Sequence, residues 1–139
     1  MSFREISAWV MAAVMAATGI YYCNAYLAAS EALGGATPPF GAFISYASFA
    51  VTASIVVQVA LTIIEPKDVE RTPDERERPL LWRAGHWTGL VQGGLCIAAL
   101  QYVAHNDNLA ILFHLVVGSL ILSQFLEYVL QILFLRRSA

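Results

Sequence analysis

Glu127 is the residue with the clearest potential for chemistry, because it is a carboxyl group inside a long apolar segment. An ionisable side chain within a membrane-length segment is expensive, and such residues commonly mark proton or ion sites. Counting about 1.5 Å per residue from the segment ends places Gln92 and Gln58 near the same depth. The sequence therefore predicts an intramembrane polar layer of Glu127 and these two amides, with Gln131 and His86 between it and the cytoplasm.

This layer has a functional and a structural interpretation. As a site facing the cytoplasm, it would take a proton, a cation or a polar head group. As a structural feature, a protonated Glu127 would donate to an amide and hold helices together. The last segment is also long enough for Glu127 to lie among lipid head groups instead.

A second polar group lies towards the opposite face and contains His105, Asp107 and His114. Imidazole and carboxylate ligands suit divalent metals, and paired histidines can ligate haem. The three residues match no fixed metal spacing, so they are weak candidates, and we expect neither a metal nor another cofactor. The chain also lacks a phosphate-binding loop and the G-x-S-x-G and H-E-x-x-H motifs, so no residue set argues for an enzyme.

The elements that carry these residues are four apolar segments. The chain has 139 residues, of which 58% are hydrophobic and 13% are charged, and its mean hydropathy is +0.62. Soluble domains have about 25% charged residues, so the apolar excess indicates surface that faces lipid. Segments of about 20 apolar residues suit helical spans. We predict an all-α, four-helix transmembrane bundle of two hairpins in a single integral membrane domain, 1–139, with spans at about 6–28, 41–64, 81–103 and 109–135.

The basic residues predict the orientation of these spans. All eight Lys and Arg lie in the N-terminus, the stretch 65–83 or the C-terminus, and the segments 29–40 and 104–108 contain none. Short cytoplasmic loops are enriched in Lys and Arg. Both termini and the 65–83 loop should therefore be cytoplasmic. The net charge of −2 argues against nucleic-acid binding.

The charged loop has a local pattern of its own. Thr72, Pro73 and Glu75 form a capping box for a short surface helix. Pro79 would interrupt that helix and begin the third span. The loop is either a solvated, positive-inside segment or a docking surface for a cytoplasmic partner.

The third segment also carries a stripe of small residues, Gly85, Gly89 and Gly93. Four-residue spacing aligns them on one side of a helix, and stripes of this kind let helices approach closely in lipid. The first segment has a similar stripe at Ala8, Ala12 and Ala16. The simplest hypothesis is that spans one and three cross here. The alternatives are a homodimer face, or a groove for a lipid or a ring-shaped cofactor.

The layout resembles a group of small, uncharacterised bacterial membrane proteins with four spans and a DERD- or DERE-like signature before the third. Asp74-Glu75-Arg76-Glu77-Arg78 matches that signature, and the SFREISAW start and the basic pair near the C-terminus are similar. The resemblance implies a multi-pass protein of the bacterial inner membrane. It implies no substrate and no catalytic residue.

Three functions remain open at this point. The first is a non-enzymatic accessory or sensor subunit that acts through helix packing and the charged loop. The second is an oligomeric transporter or channel subunit built around Glu127. The third is a protein that binds a lipid, a quinone or haem. The expected partners are membrane lipids, a second copy of the chain, or another protein that docks on 65–83.

Overall fold

The computed structural model describes residues 3–39, 41–64 and 77–138, and within them the chain forms four helices and no strand. Helix α1 spans Phe3–Ala32, α2 spans Gly41–Ile64, α3 spans Glu77–Asn106 and α4 spans Leu109–Ser138. The prediction of an all-α four-helix bundle is confirmed. Among the described residues, two helical stretches are long and apolar enough to cross a membrane, Glu5–Ala32 and Leu109–Arg137.

The third helix begins earlier than the sequence predicts. It includes Glu77 and Arg78, and Pro79 lies in its first turn instead of opening it. Proline is tolerated there because the first amide groups of a helix have no partner within the helix. The predicted capping box at Thr72 lies outside the described residues.

The first connection begins with a glycine pair at the end of α1. Gly34 and Gly35 have positive φ angles of 67° and 90°. The Gly35 amide donates to Ser30 O at 2.8 Å, and the Gly34 amide donates to Glu31 O at 3.0 Å. This is the Schellman arrangement, in which a residue without a Cβ reverses the chain at low cost.

The second connection is only two residues long. Asp107 adopts a left-handed conformation with a φ of 50°, and its amide donates to Val103 O at 2.9 Å. Asn108 caps α4, because its Oδ1 accepts from the Ile111 amide at 3.4 Å. Its Nδ2 also donates to Thr37 Oγ1 at 3.0 Å, which ties the two connections together.

Helix α4 occupies the middle of the bundle. It packs against α3 on one side and α1 on the other, while α2 packs mainly on α1. The predicted crossing of the first and third spans is wrong, since the main helix contacts in the described chain do not include α1 with α3. The alanine stripe packs on α4 instead, where Ala8 and Ala12 form a buried cluster with Ile132.

Among its described side chains, helix α2 packs on the bundle mainly through its first turns. Phe43 and Tyr46 form a buried aromatic cluster with Tyr22 of α1. Several large apolar side chains further along α2 are more than half exposed, namely Phe49, Val51, Ile55, Val56, Val59 and Ile63. Val57 is half-buried.

Candidate functional site

Glu127 lies at the seam between α3 and α4. Its side chain is partly buried, and its Oε1 accepts a hydrogen bond from Gln131 Nε2 at 3.3 Å. A Cβ built on Gly85 of α3 would be 3.8 Å from the same oxygen. A methyl group at Gly85 would be in ordinary van der Waals contact with the carboxyl, so Glu127 lies close against α3 here.

Gln92 joins α3 to α4 nearer the middle of the same seam. Its Nε2 donates to Ser119 Oγ at 3.0 Å and lies 3.3 Å from Cys96 Sγ. Its Oε1 is buried and accepts no hydrogen bond from the described residues. Buried polar atoms are usually paired, so this oxygen is an unmet acceptor inside the seam.

Gln92 and Glu127 do not share a level, which corrects the predicted polar layer. Gln92 lies opposite Ser119, and Ser119 precedes Glu127 by eight residues, or about 12 Å along the helix. The two-residue turn fixes the register of the hairpin, whereas the prediction counted depth from the ends of apolar segments. The side chain of Gln58 lies outside the described residues.

His86 lies away from this seam. Its side chain is exposed, and its ring stacks on Trp82 with centroids 5.7 Å apart. Trp87 contacts the same ring edge-on at 6.5 Å. These contacts place His86 in an exposed aromatic group on α3, separate from Glu127 and Gln92.

Small and hydroxyl side chains pack the seam along its length. Ala84 and Thr88 of α3 are buried, as are Ser119 and Ser123 of α4. The hydroxyl groups bond to carbonyls of their own helices, for example Ser123 Oγ to Leu120 O at 3.2 Å. Sequence reasoning missed these residues, although Ala84–Thr88 and Ser119–Ser123 both show the four-residue spacing of a packing stripe.

The glycine stripe is largely unused inside the described chain. Apart from its chain neighbours and the backbone of its own helix, no described atom lies within 4 Å of a Cβ built on Gly89 or Gly93. Of the three glycines in the stripe, only Gly85 lies close to a side chain of α4, that of Glu127. On α1, Ala16 is partly buried beside α4, along a groove that also includes Gly19. The homodimer-face and groove interpretations of the glycine stripe remain as predictions.

His114 forms a buried network near the turn of α3 and α4. Its Nδ1 lies 2.7 Å from the Tyr22 hydroxyl, and its Nε2 lies 2.9 Å from Pro38 O. A carbonyl can only accept, so Nε2 carries a hydrogen and a neutral ring accepts from Tyr22 at Nδ1. The Tyr26 and Phe43 rings pack edge-on against the imidazole. Sequence reasoning missed this network.

The weak metal candidates are not brought together. His105 and Asp107 are exposed at the turn, whereas His114 is buried with both ring nitrogens engaged. In residues 3–39, 41–64 and 77–138, no three His, Cys, Asp or Glu residues cluster as metal ligands would. The two ends of the α3–α4 seam thus differ, with a carboxyl at one end and a hydrogen-bonded imidazole at the other.

A groove connects the middle of the seam to His114. It is an open groove of about 400 Å³ between α3 and α4 whose lining is mostly apolar, with Tyr102, His114 and Ser119 among the lining residues. It therefore places the imidazole and the Ser119 hydroxyl along one groove.

No protein-family model, curated protein or solved structure matches this chain. The site must be interpreted from its own geometry.

Proposed function

We propose that the chain is a multi-pass protein of the bacterial inner membrane with four spans and both termini in the cytoplasm. The supporting observation is its apolar surface, which includes Ile20 of α1, Ile63 of α2, Leu90 of α3 and Leu109 of α4, all more than half exposed. Exposed apolar side chains on every helix suit a lipid environment. The Lys and Arg distribution supports the orientation.

Within that membrane, the chain acts as a non-enzymatic accessory or sensor subunit through helix association. The observation that carries this function is the open space at Gly89 and Gly93, which leaves a small-residue stripe unused by the chain's own helices. The exposed part of α2 beyond Tyr46 offers a second helix surface. The charged stretch 65–83 supplies the proposed contact on the cytoplasmic side.

The orientation is tested by labelling in a background without Cys23 and Cys96. An impermeant thiol reagent added outside whole cells should modify Ala36→Cys and leave Glu70→Cys unmodified. Permeabilised cells should give labelling at both positions, which controls for reactivity. Labelling at position 70 alone in intact cells would show that the orientation is reversed.

Association is tested by native mass spectrometry of the protein in lipid nanodiscs, with a matched pair of variants. Gly93→Leu and Gly94→Leu place the same side chain at adjacent open positions on α3. Only Gly93 belongs to the stripe, so Gly93→Leu should reduce dimers or partner complexes and Gly94→Leu should not. A wild-type chain that stays monomeric and captures no membrane partner would contradict this function.

The transporter or channel alternative is favoured by a different observation. Glu127 lies in the α3–α4 seam beside Gly85, and Gln92 follows it along the same seam. Carboxyl groups inside bundles often take part in ion or proton pathways.

A further inference from the structure

Two open grooves lie side by side on one face of the bundle. The groove between α3 and α4 has a volume of about 400 Å³, and a second groove of about 500 Å³ lies between α1 and α4. Gly118 and Leu122 of α4 line both of them, so α4 forms a shared ridge between the two grooves. Both linings are mostly apolar. A ligand with two apolar arms could therefore lie across this ridge with one arm in each groove.

Gly118 keeps the ridge between the grooves low. Apart from its chain neighbours and the backbone of its own helix, no described atom lies within 4 Å of a Cβ built on Gly118. A side chain at this position would therefore project into open space and not into a neighbouring helix. An apolar arm in either groove can for the same reason approach the α4 backbone closely and gain dispersion contacts there.

The length of the grooves suits the acyl chains of one membrane leaflet. The lining on α1 runs from Met15 to Asn24, and the lining on α3 runs from Leu95 to Tyr102. These distances are about 13.5 Å and about 10.5 Å at the rise of an α-helix. Half of the hydrocarbon core of a bilayer is about 15 Å thick. Asn24 and Tyr102 put a polar group at the same end of each groove, the end nearest the connections 33–40 and 107–108.

Each groove leads towards an exposed carboxylate at that end. Glu31 follows Asn24 by seven residues, which returns it to the same side of α1. Asp107 comes five residues after Tyr102, just beyond the end of α3. The segments 29–40 and 104–108 contain no Lys or Arg. This end of the bundle therefore favours a cationic group over an anionic one at short range.

We propose that the two grooves bind one diacyl phospholipid with a cationic amine in its head group, of the phosphatidylethanolamine class. Its two acyl chains lie on either side of the Gly118–Leu122 ridge, and its ammonium group lies near Glu31 and Asp107. The Asn24 amide and the Tyr102 hydroxyl supply donors for the ester and phosphate oxygens.

The inference rests on the proposed membrane insertion, because the grooves meet phospholipid only where α1, α3 and α4 span a bilayer. It goes beyond insertion, since lipid that merely surrounds a membrane protein is exchanged without regard to the charge of its head group or the number of its chains.

The test is native mass spectrometry of the full chain released from nanodiscs with equal amounts of phosphatidylethanolamine and phosphatidylglycerol that carry the same acyl chains. The wild-type protein should retain phosphatidylethanolamine several-fold more often, because only this lipid has an amine. Gly118→Leu should reduce the retention of both lipids, since the leucine projects into the space that the acyl chains need. Gly94→Leu is the matched control, because it makes the same change at an open position of α3 outside both grooves. It should retain lipid like the wild type.

The head-group contact is tested by the double variant Glu31→Gln and Asp107→Asn. Both changes remove charge and keep the size of exposed side chains, and Asn tolerates the left-handed backbone of position 107. This variant should retain the two lipids equally. The two-chain contact is tested with lysophosphatidylethanolamine, which has the same head group and one chain, and which the wild type should retain several-fold less than the diacyl lipid.

Equal retention of the two diacyl lipids by the wild type, or a preference that the double variant keeps, would overturn the head-group assignment. Retention of lysolipid at the level of diacyl lipid, or equal retention by Gly118→Leu and Gly94→Leu, would overturn the site in the two grooves. Labelling of Ala36→Cys and Glu70→Cys in whole cells separates this proposal from the proposed function. Inserted protein without these preferences contradicts the lipid site alone, and protein that does not insert contradicts both.

Discussion

The two helical hairpins of this chain pack in different ways. Helices α3 and α4 meet along their length through small and hydroxyl residues such as Ala84, Thr88 and Ser123. Helices α1 and α2 meet mainly through the rings of Tyr22, Phe43 and Tyr46, close to their connection. The first pair forms a continuous seam, whereas the second is joined near one end and exposes much of α2.

The difference follows from the connections and from side-chain size. A two-residue turn holds α3 and α4 close from the start, and residues without bulky side chains let the backbones stay close. The α1–α2 connection is longer, and large rings occupy the contact beside it. A groove of about 710 Å³ remains between these helices, lined in part by Tyr21, Tyr46 and Phe49. Close packing in this protein therefore depends on small residues along the whole interface.

The largest expected effect comes from filling the seam. Ala84 has no exposed surface, so Ala84→Leu should push α3 from α4 and lower the free energy of unfolding by about 3 kcal/mol. Ala60→Leu adds the same volume on an exposed position of α2 and should cost little. Thermal unfolding in detergent measures both. Equal effects would mean that the two hairpins do not differ in packing.

The next effect concerns the end where the two hairpins meet. Tyr22→Phe removes the hydroxyl that faces His114 Nδ1 and leaves a buried ring nitrogen without a partner. We expect a cost of about 2 kcal/mol. Tyr21→Phe is the control, because Tyr21 is exposed. If both variants unfold at the wild-type temperature, the His114 network does not stabilise this junction.

A smaller effect is expected within the first hairpin. The Tyr46 hydroxyl donates to Thr18 O, a backbone carbonyl within α1. Tyr46→Phe removes this one hydrogen bond and keeps the ring. Tyr46→Phe should therefore cost about 1 kcal/mol and loosen α2. Spin labels at Ala13 and Ile55 would report a broader distance distribution in the variant. An unchanged distribution would show that ring packing alone holds α2 on α1.

The smallest effect is expected at the exposed end of α1 and α4. Arg136 Nε lies 2.8 Å from Glu5 Oε1, and its guanidinium lies 5.6 Å from the Trp9 ring centre. The Arg136 side chain is 57% exposed, so Arg136→Ala should cost about 0.5 kcal/mol and less at high salt. Unfolding at low and high salt measures this, with Arg137→Ala as the exposed neighbouring control. A loss of stability in Arg136→Ala larger than that in Tyr22→Phe would contradict the expected order of these effects.

The sequence by itself predicted the helices of the described chain. Apolar length and the absence of charge in segments such as Gly41–Ile64 are enough to predict helices, because they are local properties. The position of Glu127 within an apolar helix was also predictable from the sequence. The sequence could likewise indicate Gly85, Gly89 and Gly93 as a stripe, since helix periodicity alone aligns them.

Only the tertiary structure decided which helices meet and at what register. The prediction paired α1 with α3, but α4 lies between them, because helix order in a bundle depends on connections and on long-range packing. The two-residue turn places Gln92 opposite Ser119, and Gly85 close to Glu127. The Tyr22–His114–Pro38 network joins residues from three separate parts of the chain, so no local pattern could reveal it.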